Sequence, residues 1–168
     1  INPSYKEAFY NLARSQQKLN QLDNAIDSYT QAISLDQKYF NGFLGRAEAW
    51  KAQNNHEKAL DDLSNAAKLN PSSTIALLNR GVILSGLGRF EEAILDYKKA
   101  INLEPNFAEA HNNLGNIYKS LHKLDDAETS YSQAILHKPE YALAYFNLSQ
   151  LQYIKGDKTL SLNSIKQA

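Results

Sequence analysis

Asparagines recur at one spacing along the chain and bring side-chain amides that could hold another polypeptide. They stand 34 residues apart, or twice that distance where Gly45 intervenes: Asn11, Asn79, Asn113 and Asn147. A side-chain amide carries both a donor and an acceptor, so a row of amides could pair with the backbone of an extended peptide whatever its sequence. The alternative interpretation is that asparagine is simply a common polar residue on a solvated helix face.

Arginine and aspartate occur together at a second fixed spacing. Each arginine precedes its aspartate by 16 residues: Arg46 before Asp62, and Arg80 before Asp96. The other three copies of this segment have leucine and serine at the two positions. Because a buried guanidinium is costly without a carboxylate, we expect a semi-buried ion pair between two helices of one copy, with Arg80–Asp62 as the alternative pairing. We interpret these pairs as structural rather than functional.

No set of residues in the sequence points to catalysis or to a metal site. The four histidines fall at four unrelated places in the repeating pattern, and cysteine is absent. Nowhere are a nucleophile, a base and an orienting group spaced as a catalytic set. We therefore expect no enzyme activity, no metal and no cofactor.

Charge and hydropathy exclude further kinds of partner. Eighteen basic and 18 acidic residues cancel, which leaves no basic footprint for nucleic acid. No apolar run approaches the length needed to cross a bilayer, so we expect no membrane insertion. A cytoplasmic location is our expectation for the protein.

All these residues belong to a segment of 34 residues that repeats along the whole chain. Its most regular position is always small: Ala25, Ala59, Ala93 and Ala127. We expect one array with repeats at 6–39, 40–73, 74–107 and 108–141 and a partial fifth repeat at 142–168. Apolar residues recur at helical spacing on both sides of a residue that tolerates positive φ: Asn20, Asn54, Gly88, His122 and Gly156. A period of this size predicts stacked helical hairpins.

The segment resembles the tetratricopeptide repeat, a family with a 34-residue signature. The fourth repeat carries the resemblance best, with these signature residues in place: Leu114, Gly115, Tyr118, Ala127, Tyr131 and Pro139. The fourth position of each repeat departs from the tryptophan that is frequent in the family. The resemblance implies an all-α fold, a right-handed superhelical solenoid of helix-turn-helix hairpins whose first helices line the concave side. It also implies binding of proteins or peptides.

One face of each first helix is expected in the concave groove. Besides the recurring asparagines, the residues expected there are Tyr10, Leu44, Ile75, Leu78, Val82, Asn112, Asn116 and Phe146. Ile75, Leu78 and Val82 would form either a contact surface for a partner or the well-packed centre of the array. The asparagine row is similar to the ladder in the tetratricopeptide domain of O-linked N-acetylglucosamine transferases. The lysines of the clamp that binds chaperone tails are missing, so we expect a different ligand.

The sequence therefore predicts a protein-interaction scaffold that receives an extended peptide or a partner helix in its groove. One alternative is a non-catalytic recognition or assembly segment of a larger, glycosyltransferase-like enzyme. Another is a structural array that self-associates end to end. The repeat pattern runs through both ends of the chain, so we expect a longer array.

Overall fold

The chain folds into ten helices in the computed structural model, which describes residues 4–167 without the side chains of Ser4, Lys158, Thr159, Leu160 and Leu162. In chain order the helices are α1 (Ser4–Lys18), α2 (Leu22–Leu35), α3 (Phe40–Ala52), α4 (His56–Leu69), α5 (Thr74–Gly86), α6 (Phe90–Leu103), α7 (Ala108–Ser120), α8 (Leu124–His137), α9 (Ala142–Ile154) and α10 (Lys158–Gln167). No strand occurs in this range, so the predicted all-α class is confirmed. None of the helices described is both long and apolar enough to cross a membrane.

A residue with positive φ follows the first helix of every hairpin, as the sequence predicted. The values are 58° at Asn20, 59° at Asn54, 75° at Gly88, 57° at His122 and 90° at Gly156. In each case the next backbone N–H donates to the carbonyl five residues earlier, at 2.9 Å. This bond satisfies a carbonyl that the helix end would leave without a partner, and it turns the chain into the second helix.

The first compact unit of the chain is Ile1–Ile83, which contains α1 to α4 and most of α5. Ala13 of α1 and Ala25 of α2 are fully buried, and their small side chains let the two helices pack closely. Tyr29 and Ala49 belong to the same cluster, so α3 covers the first hairpin. A second cluster joins α2 to α5: Ile33, Phe43, Ala66 and Ala76.

The second compact unit is Leu84–Ala168, and it packs by the same rules. Ala127 and Tyr131 of α8 lie against Leu148 and Leu151 of α9. Gly115 of α7 leaves room for the buried tyrosine, because a Cβ on residue 115 would stand 2.7 Å from Tyr131 Cε1. The hairpin formed by α7 and α8 is therefore covered by α9, as α1 and α2 are covered by α3.

Ion pairs of opposite polarity close the open ends of two hairpins. Lys6, in the first turn of α1, places Nζ 2.6 Å from Oδ2 of Asp36, just after α2. Lys138, just after α8, donates from Nζ to Oε1 of Glu109 in α7 at 2.9 Å. The bond from Lys6 lowers the pKa of the Asp36 carboxyl, and the bond from Lys138 lowers the pKa of Glu109.

Candidate functional site

Arg46 and Asp62 form a bidentate ion pair between α3 and α4. Arg46 donates from Nε to Oδ2 of Asp62 at 2.9 Å and from Nη2 to Oδ1 at 2.8 Å. Its Nη1 donates to Thr30 Oγ1 at 2.9 Å, which also ties the guanidinium to α2. Asp62 is only 3% exposed, so the pair has a structural role. Asp96 is buried as well, and its pairing with Arg80 stays a prediction.

The recurring asparagines have unequal surroundings, because each repeat packs on the one before it. Asn11 is exposed on α1. Asn113 shares a hydrogen bond with the hydroxyl of Tyr97, which belongs to the preceding repeat. Asn147 donates from Nδ2 to Oδ1 of Asn112 at 2.9 Å, and these two residues are 8% and 0% exposed. Their amides join neighbouring repeats instead of facing solvent.

Two more of the predicted asparagines are half-buried. Asn79 lines a small cavity of about 10 Å³ together with Glu48 and Lys51. Asn116 accepts a hydrogen bond of 2.8 Å from the hydroxyl of Tyr131. A continuous row of free amides along the array therefore stays a prediction, with Asn11 as its exposed member.

Apolar residues predicted for the groove remain open to solvent in part. In the first unit Ile75 is 57% exposed and Val82 is 39% exposed. Leu78 is half-buried beside them on α5, and Leu44 is half-buried on α3, where it packs against the second core cluster. In the second unit Phe146 is 47% exposed. Apolar side chains grouped on one exposed helix face are typical of a protein-contact surface.

An open pocket of about 410 Å³ lies between α1 and α3 in the first unit. Its lining residues come from α1, α2 and α3: Tyr10, Arg14, Gln17, Lys18, Tyr29, Asn41, Leu44, Gly45 and Glu48. Tyr29 is almost fully buried beneath it, with its hydroxyl donating to Gln17 Oε1 at 2.9 Å. The Tyr29 and Tyr10 rings lie tilted to each other with centroids 5.8 Å apart. We call this cavity the α1–α3 pocket.

Gly45 is the residue that keeps the α1–α3 pocket open. A Cβ on residue 45 would lie 2.5 Å from Cε1 and Cζ of Tyr29, so an asparagine at this position would displace the ring. In the fourth repeat the equivalent ring, Tyr131, packs on Gly115 of its own first helix. The first repeat has Ala13 at that position. Its methyl group takes the space that the glycine leaves free, so the Tyr29 ring lies against the next repeat.

Three charged side chains line the α1–α3 pocket, and none of them forms an ion pair with any residue that the structure describes: Arg14, Lys18 and Glu48. The Arg14 guanidinium lies 5.8 Å from the centroid of the Tyr10 ring. Burial raises the pKa of the Tyr29 phenol to about 12, and the charge of Arg14 opposes this shift. The phenol is therefore neutral at physiological pH, and a ligand would meet charges of both signs above an aromatic floor.

Sequence reasoning singled out Tyr10 and Leu44 of this pocket but missed Arg14, Lys18 and Glu48. These three residues lie at positions expected on the groove face, which was the available signal. Their types change from repeat to repeat, with valine, asparagine and glutamine at the position of Arg14 and Glu48 in the later repeats. A search for recurring residue types therefore passed over them.

Two histidines that are distant in the sequence meet in the second unit. The His111 ring stacks on His137 with centroids 5.5 Å apart and an angle of 28° between the planes. His111 Nε2 also lies 2.9 Å from the carbonyl oxygen of Pro105, so this ring joins parts of the hairpin. Across the part of the chain that the structure describes, no group of three His, Cys, Asp or Glu residues could hold a metal ion.

Comparison with known families identifies the repeat. A family model described as tetratricopeptide repeat matches residues 7–39 and 108–141, and a model described as TPR repeat matches residues 83–122. The chain belongs to the tetratricopeptide repeat family, whose members are generally non-catalytic modules for protein–protein interaction. No curated protein sequence matches the chain.

Several solved structures share this fold. MamA from Desulfovibrio magneticus RS-1 has a TM-score of 0.87 at 15% identity, over 97% of this chain and 92% of that chain. PilF from Pseudomonas aeruginosa has a TM-score of 0.88 at 16% identity, over 98% and 75% of the two chains. YrrB, described as a TPR protein with an unusual peptide-binding site, has a TM-score of 0.75 at 20% identity, over 95% and 82%. At these identities the likeness establishes the fold alone.

Proposed function

We propose that the chain is a non-catalytic interaction module that binds a partner polypeptide as an extended segment across α1, α3 and α5 of the first unit. The α1–α3 pocket carries this proposal, because it is an open concavity with an aromatic floor and unpaired charges on its walls. The family supplies the general role of protein–protein contact. Peptide binding by YrrB, a protein of similar fold, is consistent with a ligand of this kind.

The α1–α3 pocket offers groups for both the backbone and the side chains of a peptide. Asn41 is exposed at its edge, and its amide can donate to and accept from peptide groups. The rings of Tyr10 and Tyr29 provide apolar surface with hydroxyl groups at the edge. Arg14 on α1 and Glu48 on α3 stand on opposite walls, so the charge pattern of the ligand would decide its orientation.

The exposed apolar residues of α5 extend this surface. Ile75 and Val82 would contact peptide side chains that project away from the α1–α3 pocket. Packed helices lie about 8–10 Å apart and an extended chain rises about 3.3 Å per residue, so about six residues would reach from α1 to α5. The proposed ligand is therefore a short linear segment with charged residues near one end and apolar residues near the other.

The test starts from a random-peptide library displayed on phage and selected on the 168-residue chain. The affinity of a selected peptide is then measured by fluorescence anisotropy. We expect the double variant Arg14→Ala plus Glu48→Ala to weaken binding by about tenfold, which corresponds to about 1.4 kcal/mol. Val82→Asp should weaken it as well, because a carboxylate would replace an apolar contact.

Leu95→Asp is the matched control for this experiment. Leu95 is 69% exposed on α6, so its replacement changes surface charge without touching the α1–α3 pocket. Peptides whose affinity ignores the pocket variants and drops with Leu95→Asp would contradict the proposal. So would a library that yields no specific binder.

A further inference from the structure

A second open pocket of about 410 Å³ lies between α9 and α10, and it is mainly apolar. Phe146 and Tyr153 on its lining are 47% and 64% exposed, and Ile154 and Ile165 are 59% and 51% exposed. Four large apolar side chains around one cavity are an unusual surface for a helical protein in water. We call this cavity the α9–α10 pocket.

The internal repeat shows what kind of element fits the α9–α10 pocket. Three of its lining residues stand four repeat lengths after core residues of the first hairpin: Ser149 after Ala13, Ser161 after Ala25 and Ile165 after Tyr29. In the first hairpin this place is covered by α3, whose Ala49 is fully buried in the same cluster. One repeat before the pocket, Ala127 and Tyr131 are covered by α9. The α9–α10 pocket is therefore the seat of a first helix.

α1 presents the face by which first helices dock. A stripe of residues three and four apart along α1 and the turn after it is exposed to solvent: Tyr5, Ala8, Leu12, Ser15 and Leu19. Tyr5, Leu12 and Leu19 are 58%, 47% and 70% exposed. The equivalents of Ala8 and Ser15 on later first helices are buried against the preceding hairpin, such as Ala144 and Leu151, both 0% exposed. Leucine at position 12 was expected in the packing seam, and its exposure shows that this seam is open on α1.

We propose that α1 of one copy docks into the α9–α10 pocket of a second copy, so that the protein associates head to tail. In this arrangement Leu12 takes the place that its equivalent Leu148 takes on the fourth hairpin. Both halves of the contact come from the same chain, and they are related by the repeat that already joins its own hairpins. The contact is heterologous, so each new copy leaves one free face of each kind and the association is open-ended.

The size of the surfaces predicts weak association. One helix stripe against one pocket is smaller than a standard protein interface, so a dissociation constant of about micromolar or weaker is expected. The faces involved differ from the α1–α3 pocket, so this proposal does not depend on peptide binding.

Sedimentation velocity over about a hundredfold range of concentration tests the proposal. We expect the mean sedimentation coefficient of the chain to rise steadily with concentration. Leu12→Asp and Ile154→Asp each alter one of the two faces at an exposed residue, and each variant alone should remain monomeric. Leu95→Asp, on neither face, should associate like the original chain. Far-UV circular dichroism verifies that every variant keeps its helical content.

A mixture of the two face variants gives the sharpest result. Leu12→Asp retains the pocket and Ile154→Asp retains the stripe, so an equimolar mixture should form 1:1 dimers and nothing larger. Dimers in the mixture support head-to-tail docking. A chain that stays monomeric at every concentration would overturn the proposal. Association that persists in either face variant alone would also overturn it, since docking would then involve another surface.

Discussion

The Tyr29 ring lies against Gly45 of the following repeat, in space that any side chain at residue 45 would need. A Cβ there would stand 2.5 Å from two atoms of the ring. The equivalent ring in the fourth repeat, Tyr131, lies against Gly115 of its own repeat instead. One glycine therefore moves from one helix to the next between these repeats, and the α1–α3 pocket opens where it moved.

Restoring the asparagine of the other repeats at residue 45 should damage the fold and the pocket together. We expect Gly45→Asn to destabilise the protein by about 1–3 kcal/mol, because the added side chain overpacks against the Tyr29 ring. Urea unfolding measures this change. Gly86→Ala is the control, since a Cβ on Gly86 meets nothing within 4 Å, and it should change stability by no more than about 0.5 kcal/mol. Similar losses in both variants would argue against the close packing of Tyr29 and Gly45.

Removing the carboxylate of the buried ion pair should be far more costly than removing its neighbour. We expect Asp62→Ala to lose about 3–5 kcal/mol, because the Arg46 guanidinium keeps its charge and loses its bidentate partner. Asp61→Ala, at an exposed position, should lose no more than about 0.5 kcal/mol. The double variant Arg46→Leu plus Asp62→Ser, which copies the pair in the other repeats, should recover much of the loss. Equal unfolding midpoints for the two single variants would contradict this account.

The asparagines at one repeat position should differ in their contribution to stability. Asn147→Ala leaves Oδ1 of the fully buried Asn112 without its donor, which should cost about 1–3 kcal/mol. Asn11→Ala removes an exposed amide and should leave the unfolding midpoint unchanged. Chemical denaturation of both variants makes the comparison. If Asn11→Ala were the more damaging change, the cross-repeat role of Asn147 would be wrong.

Acid should weaken the closure of the fourth hairpin. The bond from Lys138 lowers the pKa of Glu109 from its usual 4.5, so the unfolded chain binds the proton more tightly than the folded one. The resulting stability is present above that usual pKa and is lost as the pH falls through the lowered value in the folded state. We expect Glu109→Gln to be less stable at pH 7 by about 0.2–1 kcal/mol, as for a partly exposed pair. Melting curves at decreasing pH should show this difference shrinking, and a constant difference would contradict the linkage.

Local backbone signals predicted the hairpins well, whereas the use of the polar residues depended on packing between repeats. Asn20 and His122 could be placed at positive φ because few residue types tolerate it, and the structure has both there. The bond from Asn147 to Asn112 could not be predicted, since the two positions differ within the repeat and meet only when hairpins stack. Arg14 and Glu48 escaped notice because a binding site need not repeat, although the helices that carry it do.

The binding of a peptide at the α1–α3 pocket is tested most directly by amide chemical shifts. The ¹⁵N-labelled chain would be titrated with a peptide selected from the library, and the shifts followed by two-dimensional NMR. The account predicts that the largest changes occur on the facing turns of α1 and α3, at Arg14, Gly45 and Glu48, with smaller changes at Val82 on α5. Changes concentrated on α6, or at the α9–α10 pocket, with none at Arg14 and Gly45, would contradict it.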